Sequence, residues 1–415
     1  MRGSGGELGE GAREPRGGNA PPETIRYRVR VRICAMRIQV EPRTFVRPEP
    51  ADRLGAFFHL WSKEVFMNPQ PLSPARDYSL DAVRSLAIVM VLIIHSASAS
   101  LSLPMDRVSW WCGLLWASVA RPAVPLFFLC SGALMLTRDI PLKRLFGHNL
   151  LRILIALFVW AFGYQLILRY QLGDLFSPGG LWAAVKGTLL FQHEFHFYYL
   201  HILILVYCFI PVMRTFLRGA SRREEEYFLL FWAVTGLLFP VLGQFEPFSL
   251  IYPINLWYTM NQAYSAMGYC VLGHYLRTYG HTYSRRHYLL ALLAGFLICL
   301  APTAAFSLRQ GSLFGLFQEG MSPGPALMAL GIMGLIRSVR RWNGPILRVT
   351  SYLSGASFCI YLVHIAVQKV LFHLGYSNTV LSALTIPGMA LILLAVSYLI
   401  YELLCRLPWV YKWLV

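Results

Sequence analysis

The stretch from Leu80 to Ser100 reads LDAVRSLAIVMVLIIHSASAS, and in it Arg84 and His95 bracket ten uncharged residues, nine of them apolar. Wound as an α-helix, this run rises roughly 30 Å, the thickness of a bilayer's hydrocarbon core. Runs of the same kind recur down the chain at about 110–137, 150–169, 197–216, 227–244, 261–279, 287–306, 322–338, 354–373 and 380–404, with a break in the second expected at Pro122 and Pro125. The pattern predicts an all-α polytopic integral membrane protein with about ten transmembrane helices.

Composition agrees. The 415 residues are 56% hydrophobic and 14% charged, with a mean hydropathy of +0.50, whereas soluble domains carry about a quarter charged residues. This excludes an ordinary soluble enzyme, a disordered regulator and a disulfide scaffold. The eight cysteines, Cys34, Cys112, Cys130, Cys208, Cys270, Cys299, Cys359 and Cys405, form no CxxC pair and read as small hydrophobes.

The net charge of +17 would suit a nucleic-acid partner if it formed one continuous face on a soluble domain. It does not. Residues 1–66 hold 12 Lys+Arg and 8 Asp+Glu, leaving 25 and 12 for the remainder. Loops after the even-numbered spans hold fifteen basic residues, among them Lys143, Arg144, Arg218, Arg285 and Arg340, and the alternate loops hold only Arg107, Arg121, Arg169, Lys186 and Arg309. By the positive-inside rule both termini are expected in the cytoplasm, and no nucleic-acid partner is expected. In the longest alternate connection, Leu181 to Phe191 is moderately amphipathic and is expected to form a short interfacial helix.

Residues 1–66 differ in kind: rich in Gly, Pro, Glu and Arg, then alternating as RYRVRVR. No run there is long enough for a signal peptide or a span, and poor order is expected. Two readings remain open, a cytoplasmic regulatory tail or a start codon assigned too early, with the product beginning at Met67. The domain is expected to occupy 67–415.

Ionisable residues inside a span are costly and by default mark function. At 100° per residue, the step from Arg84 to His95 ends about 20° past three full turns, so both lie on one helix face roughly 16 Å apart. Four further segments stand out: RPAVPLFFLCSG from Arg121 to Gly132, HFYYLHILILVYCFIP from His196 to Pro211, GYCVLGHYL from Gly268 to Leu276, and SFCIYLVH from Ser357 to His364. Together with DYSLDAVRSLAIV and the Arg84–His95 spacing, and in this order, they resemble the acyltransferase-3 family of integral membrane acyltransferases. Tyr198 stands where that family commonly has Trp, Cys359 where Gly is common, and Ala156 near a frequent Pro. These departures bear on subfamily more than on chemistry.

The resemblance implies transfer of an acyl group, usually acetyl from acetyl-CoA, to a hydroxyl of an envelope carbohydrate at a bacterial cytoplasmic (inner) membrane. The expected partners are acyl-CoA, a saccharide or glycolipid acceptor and the lipid bilayer. A hydroxyl is a poor nucleophile at neutral pH, so His95 is the candidate general base, or alternatively a covalent acyl relay. Guanidinium groups suit the phosphates of CoA, which nominates Arg84, Arg152, Lys143 and Arg144, although topology alone also accounts for the last two.

His196, Tyr198, Tyr361, His364 and Arg121 are candidate substrate-binding residues. Tyr199 reads as interfacial belt, and His193, His201, His274 and His373 as structural. No metal is expected, because no metal-binding or nucleotide-hydrolysis motif is present. A secondary transporter with Arg84 and His95 lining its path is the competing reading, weakened because the two halves of the chain show no repeat. A catalytically silent sensor or scaffold with the same fold is disfavoured by the presence of both Arg84 and His95.

Overall fold

The computed structural model describes residues 76–251, 257–376 and 379–414; the N-terminal segment 1–66 lies outside them. Among the described residues the regular structure is wholly helical. The helices are α1 (Tyr78–Leu101), α2 (Val108–Met135), α3 (Leu142–Leu172), α4 (Pro178–Leu189), α5 (Phe195–Gly219), α6 (Arg222–Leu242), α7 (Gln262–Tyr279), α8 (Arg285–Gln310), α9 (Pro323–Arg337), α10 (Gly344–His373), α11 (Ser382–Leu404) and α12 (Pro408–Trp413). Ten of these coincide with the ten apolar segments. The short α4 falls where the amphipathic segment predicts a helix, with Ser177 capping it through Gly180 N at 2.9 Å.

Eight of the helices are long and apolar enough to cross a membrane. The two others, α7 and α9, have 18 and 15 residues, and α9 rises only about 22 Å. Both are largely buried against neighbouring helices, so protein rather than lipid surrounds them and a wholly apolar surface is not required. The expected break in α2 is present: one helix ends at Ala120, Arg121 and Pro122 form a turn, and a second helix begins at Ala123.

Contacts between loops sort into two ends. At one end Arg337 pairs with Asp77 at 3.1 Å, Arg285 donates to Ser338 O at 2.6 Å, and Arg214 donates to the carbonyls of Arg138 and Ile140. At the other, Ser109 donates to Thr379 O, and Ser100 meets Ser382 at 3.0 Å. The arginine-rich loops thus gather on one end of the bundle.

Asp77, just ahead of α1, ties the arginine-rich end together. Burial acts to raise its carboxyl, but the Ser79 hydroxyl with Arg337 and Arg277 outweighs burial and holds it below the ordinary carboxylate range. Deeper in the bundle α2 and α7 touch backbone to backbone. A methyl group on Gly132 would overlap the Cys270 backbone, and one on Gly273 the Leu129 backbone, so only glycine permits this approach.

Candidate active site

The site is built on α1 and α10, which run parallel. Asp81 of α1 accepts from Ser354 of α10 at 2.8 Å, Ser85 donates to Thr350 O at 2.7 Å, and further along Gln368 donates to His95 O at 2.9 Å. Along α10, Ser354, Ser357, Tyr361, His364 and Gln368 follow one another at steps of three and four and form one polar stripe on a single face of the helix.

Where the halves of α1 and α10 remote from the arginine-rich end meet, three histidines converge. The His95 and His364 rings lie 4.9 Å apart, His196 and His364 5.3 Å, and His95 and His196 6.5 Å. His196 arrives from the tight turn Phe195–Phe197 that opens α5, and it is only 2% exposed. The Tyr361 hydroxyl donates to His196 O and fixes this turn. His364 Nδ1 faces two backbone carbonyls, Tyr361 O at 2.7 Å and Ile360 O at 3.2 Å. Carbonyls only accept, so Nδ1 carries the proton and Nε2 presents a lone pair. Among the described residues, that Nε2 and both ring nitrogens of His196 are buried with no hydrogen-bond partner. Buried polar groups are normally satisfied, so the cluster holds unused donor and acceptor capacity beside His95.

Tyr164 of α3 supports the cluster from behind, its ring 5.5 Å from that of His196. Its hydroxyl donates to Leu362 O at 2.9 Å and accepts from Ala366 N at 3.0 Å. Those two groups are an i, i+4 pair of α10, so the hydroxyl is inserted at the helical ladder on either side of His364. Lys369 pairs with Glu194 at the same rim and lies 5.7 Å over the Tyr164 ring.

From the arginine-rich side a cavity of about 430 Å³ runs inward to Tyr361. Arg84, Arg152, His148, Asn149, Ser357 and Tyr199 contribute to its wall. Among the described residues no carboxylate pairs with Arg84. Arg152 lies over the Phe358 ring at 5.5 Å. A second cavity of about 460 Å³ shares His148, Arg152 and Gly355 with the first and adds Tyr401, Tyr411 and Lys412. His148, which lines both, lies in a π-helical turn of α3, Leu145–Leu150, the kind of local widening often found at functional sites.

The expected residues therefore divide. Arg84, Arg152 and Tyr361 line the first cavity, and His95, His196 and His364 form the cluster that Tyr361 adjoins. Lys143 and Arg144 are exposed and line neither cavity. Tyr198 is 44% exposed at the start of α5. Arg121, at the break in α2, donates to Gln318, which donates in turn to Ser118 at 2.8 Å.

One expectation is corrected. Tyr199 is not a belt residue: it is 8% exposed, packs on Phe128 and Tyr361, and lines the cavity, because it shares the buried face of α5 with Leu203, Val206 and Ile210. His148, Asn149, Ser357, Tyr164, Glu194 and Lys369 were not indicated by the sequence reading. For Ser357 a signal was present, since it opens the SFCIYLVH segment.

Neither the comparison with curated proteins nor that with solved structures gives a match. The acyltransferase-3 family profile, described as an acyltransferase domain, matches residues 77–402, which contain α1 to α10 and all but the end of α11. With Arg84 in the wall of the cavity, and His95 of α1 meeting His364 of the SFCIYLVH segment of α10, the chain, matched over residues 77–402, belongs to the acyltransferase-3 family of membrane acyltransferases.

Proposed function

We propose that the protein moves an acetyl or other short acyl group from acyl-CoA to a hydroxyl of an envelope or surface carbohydrate at a bacterial inner membrane. The observation that carries this reading is the polar cavity beginning among Arg84, Arg152 and His148 and ending at Tyr361, directly beside the three histidines. Guanidinium groups match phosphate bidentately, and Arg84 has no competing carboxylate among the described residues. The adjoining cavity with Lys412 and Tyr411 offers room for the nucleotide end of the donor. The positive-inside rule assigns the arginine-rich end to the cytoplasm, where acyl-CoA is made.

In this reading His95 takes the proton of the acceptor hydroxyl as its oxygen attacks the thioester carbonyl. A C–O bond forms, the C–S bond breaks, and the proton passes to the departing thiolate. In the relay form the His95 ring nitrogen attacks first, a C–N bond forms as the C–S bond breaks and the thiolate takes the ring proton; the acceptor oxygen then attacks the acyl carbon, the C–N bond breaks, and the hydroxyl proton returns to the ring. His364, its ring 4.9 Å from that of His95, packs against the His95 ring and restricts its orientation. Phe195 and Tyr198, both substantially exposed at the start of α5, offer aromatic faces to the acceptor.

The test is mass spectrometry of host surface glycans with and without the protein, repeated with His95→Ala. An increment of about 42 Da per acceptor hydroxyl that tracks the wild type alone supports an acetyl transfer needing a base or nucleophile at His95. Unchanged glycans would remove the carbohydrate acceptor, and an increment retained by His95→Ala would remove the role of His95.

A further inference from the structure

A second pair of adjoining cavities lies on the arginine-rich end of the bundle and shares no residue with the cavity that holds Arg84. The first, about 690 Å³, is lined by Arg277, Arg285, Arg337, Arg340 and His281, with no Asp or Glu in its wall. Asp77 engages Arg337 at 3.1 Å and Arg277 more loosely at 3.9 Å, and Arg285 uses one nitrogen on Ser338 O. Arg340 is exposed and pairs with no carboxylate among the described residues.

The second cavity, about 640 Å³, opens between α6, α7, α8 and α9 and is walled mainly by apolar side chains such as Leu229, Val234, Leu237, Leu272 and Leu330. The π-helical turn Ala233–Leu238 of α6 forms part of it. Its one carboxylate, Glu226, is taken up by Arg222 at 2.8 Å and by the Tyr275 hydroxyl at 2.5 Å. Leu276, Tyr283 and Tyr288 line both cavities, so the basic and apolar halves adjoin across these three side chains.

The combined shape has a guanidinium end, in which Asp77 engages Arg337 and Arg277 but neither Arg285 nor Arg340, and an apolar arm. A small free anion would leave the arm unfilled, and a neutral lipid would leave the guanidinium groups unmatched. We propose that these cavities bind an anionic phospholipid of the surrounding bilayer, its phosphate held by Arg285 and Arg340 with help from Arg277, and an acyl chain lying along the α6–α9 groove. Basic pockets between membrane helices are suited to anionic headgroups, and guanidinium is the preferred phosphate partner.

The experiment uses the purified full chain in neutral detergent, supplied with phosphatidylglycerol or phosphatidylcholine. Bound lipid is read by native mass spectrometry and stability by thermal unfolding. The wild type is expected to retain phosphatidylglycerol selectively. The variant Arg285→Gln/Arg340→Gln is expected to lose that preference by about fivefold per arginine, and Leu229→Trp, which fills the apolar arm, to lose it too. Arg340→Gln alone removes no ion pair within the described protein and gives the same reading if the double variant does not fold. Equal retention of both lipids by the wild type, or undiminished phosphatidylglycerol binding in Arg340→Gln and the double variant, would overturn the proposal. Equal stabilisation by glycerol phosphate alone would overturn it in favour of a free anion.

Discussion

Gln368 donates its side-chain amide to the backbone carbonyl of His95 at 2.9 Å, fourteen residues after the contact that Ser354 makes with Asp81, which itself lies fourteen residues before His95. The two helices therefore keep one register over two heptads, and the Gln368 contact fixes the height of the proposed catalytic histidine. Gln368→Leu removes the donor without adding charge. We expect kcat to fall about tenfold with KM for acyl-CoA unchanged, the signature of lost transition-state positioning, and Gln368→Asn to recover part of the loss.

Replacing His95 and Arg84 should have different consequences. His95→Ala is expected to lower acyl transfer by about 10³-fold or more while expression and insertion stay normal. Arg84→Gln is expected to act mainly through a higher KM for acyl-CoA. Initial-rate assays in detergent at varied donor concentration separate the two, and retained turnover in His95→Ala would remove the mechanism while leaving the family assignment intact.

Tyr164→Phe deletes one hydroxyl and leaves the ring on His196. Leu362 O and Ala366 N then lose their bridging partner inside α10. The cost should be about 1–2 kcal/mol of stability, visible in a thermal melt, with a loss of activity because His364 sits within the affected turn.

Asp77 gives a pH dependence whose sign can be worked out. Its carboxyl is held below the unfolded value of about 3.9. Its contribution to stability is therefore fully present above that value and is lost as pH falls through the lowered folded value. Asp77→Asn should lower the melting temperature at pH 7 and flatten the acid limb below about pH 4. An unchanged acid limb would show that Asp77 does not set it.

Gly132→Ala and Gly273→Ala place methyl groups into facing backbone at the α2–α7 crossing. Overpacking of this kind, with backbone as the obstacle, should cost about 3 kcal/mol or more. We expect loss of the monodisperse peak in size-exclusion chromatography for each variant, with Gly163→Ala as a neutral control, since nothing in the structure crowds that position.

Much of this organisation was legible in the sequence, for physical reasons that also mark its limits. Apolar runs such as Leu80–Ser100 announce helices because the bilayer filters composition, and the Arg121–Pro122 break follows from proline's missing donor. The shared face of Arg84 and His95 needs only helical periodicity. The convergence of His196 and His364 on His95 is different, because it depends on how helices distant in sequence pack. Tyr199 was misread because interfacial aromatics and cavity-lining aromatics have the same composition, and only packing against Phe128 and Tyr361 distinguishes them. His148 escaped notice because it precedes the span expected at 150–169, whereas the helix already begins at Leu142. Lys143 and Arg144 attracted attention as charges in a loop, but charge does not reveal which way an exposed side chain points.

The parallel register of α1 and α10 has a consequence for how the chain can vary. Each helix acts as a rail for the other, pinned at Asp81–Ser354 and again at His95–Gln368. One residue inserted between Arg84 and His95 would turn everything beyond it by about 100° and carry His95 off the shared face. A seven-residue insertion would restore the face to within about 20° but displace the histidine by roughly 10 Å along the axis. Neither length change can be absorbed by one helix alone, so the separation of arginine and histidine is a dimension of the paired rails, and any drift in it requires matched indels in two segments more than 250 residues apart in sequence.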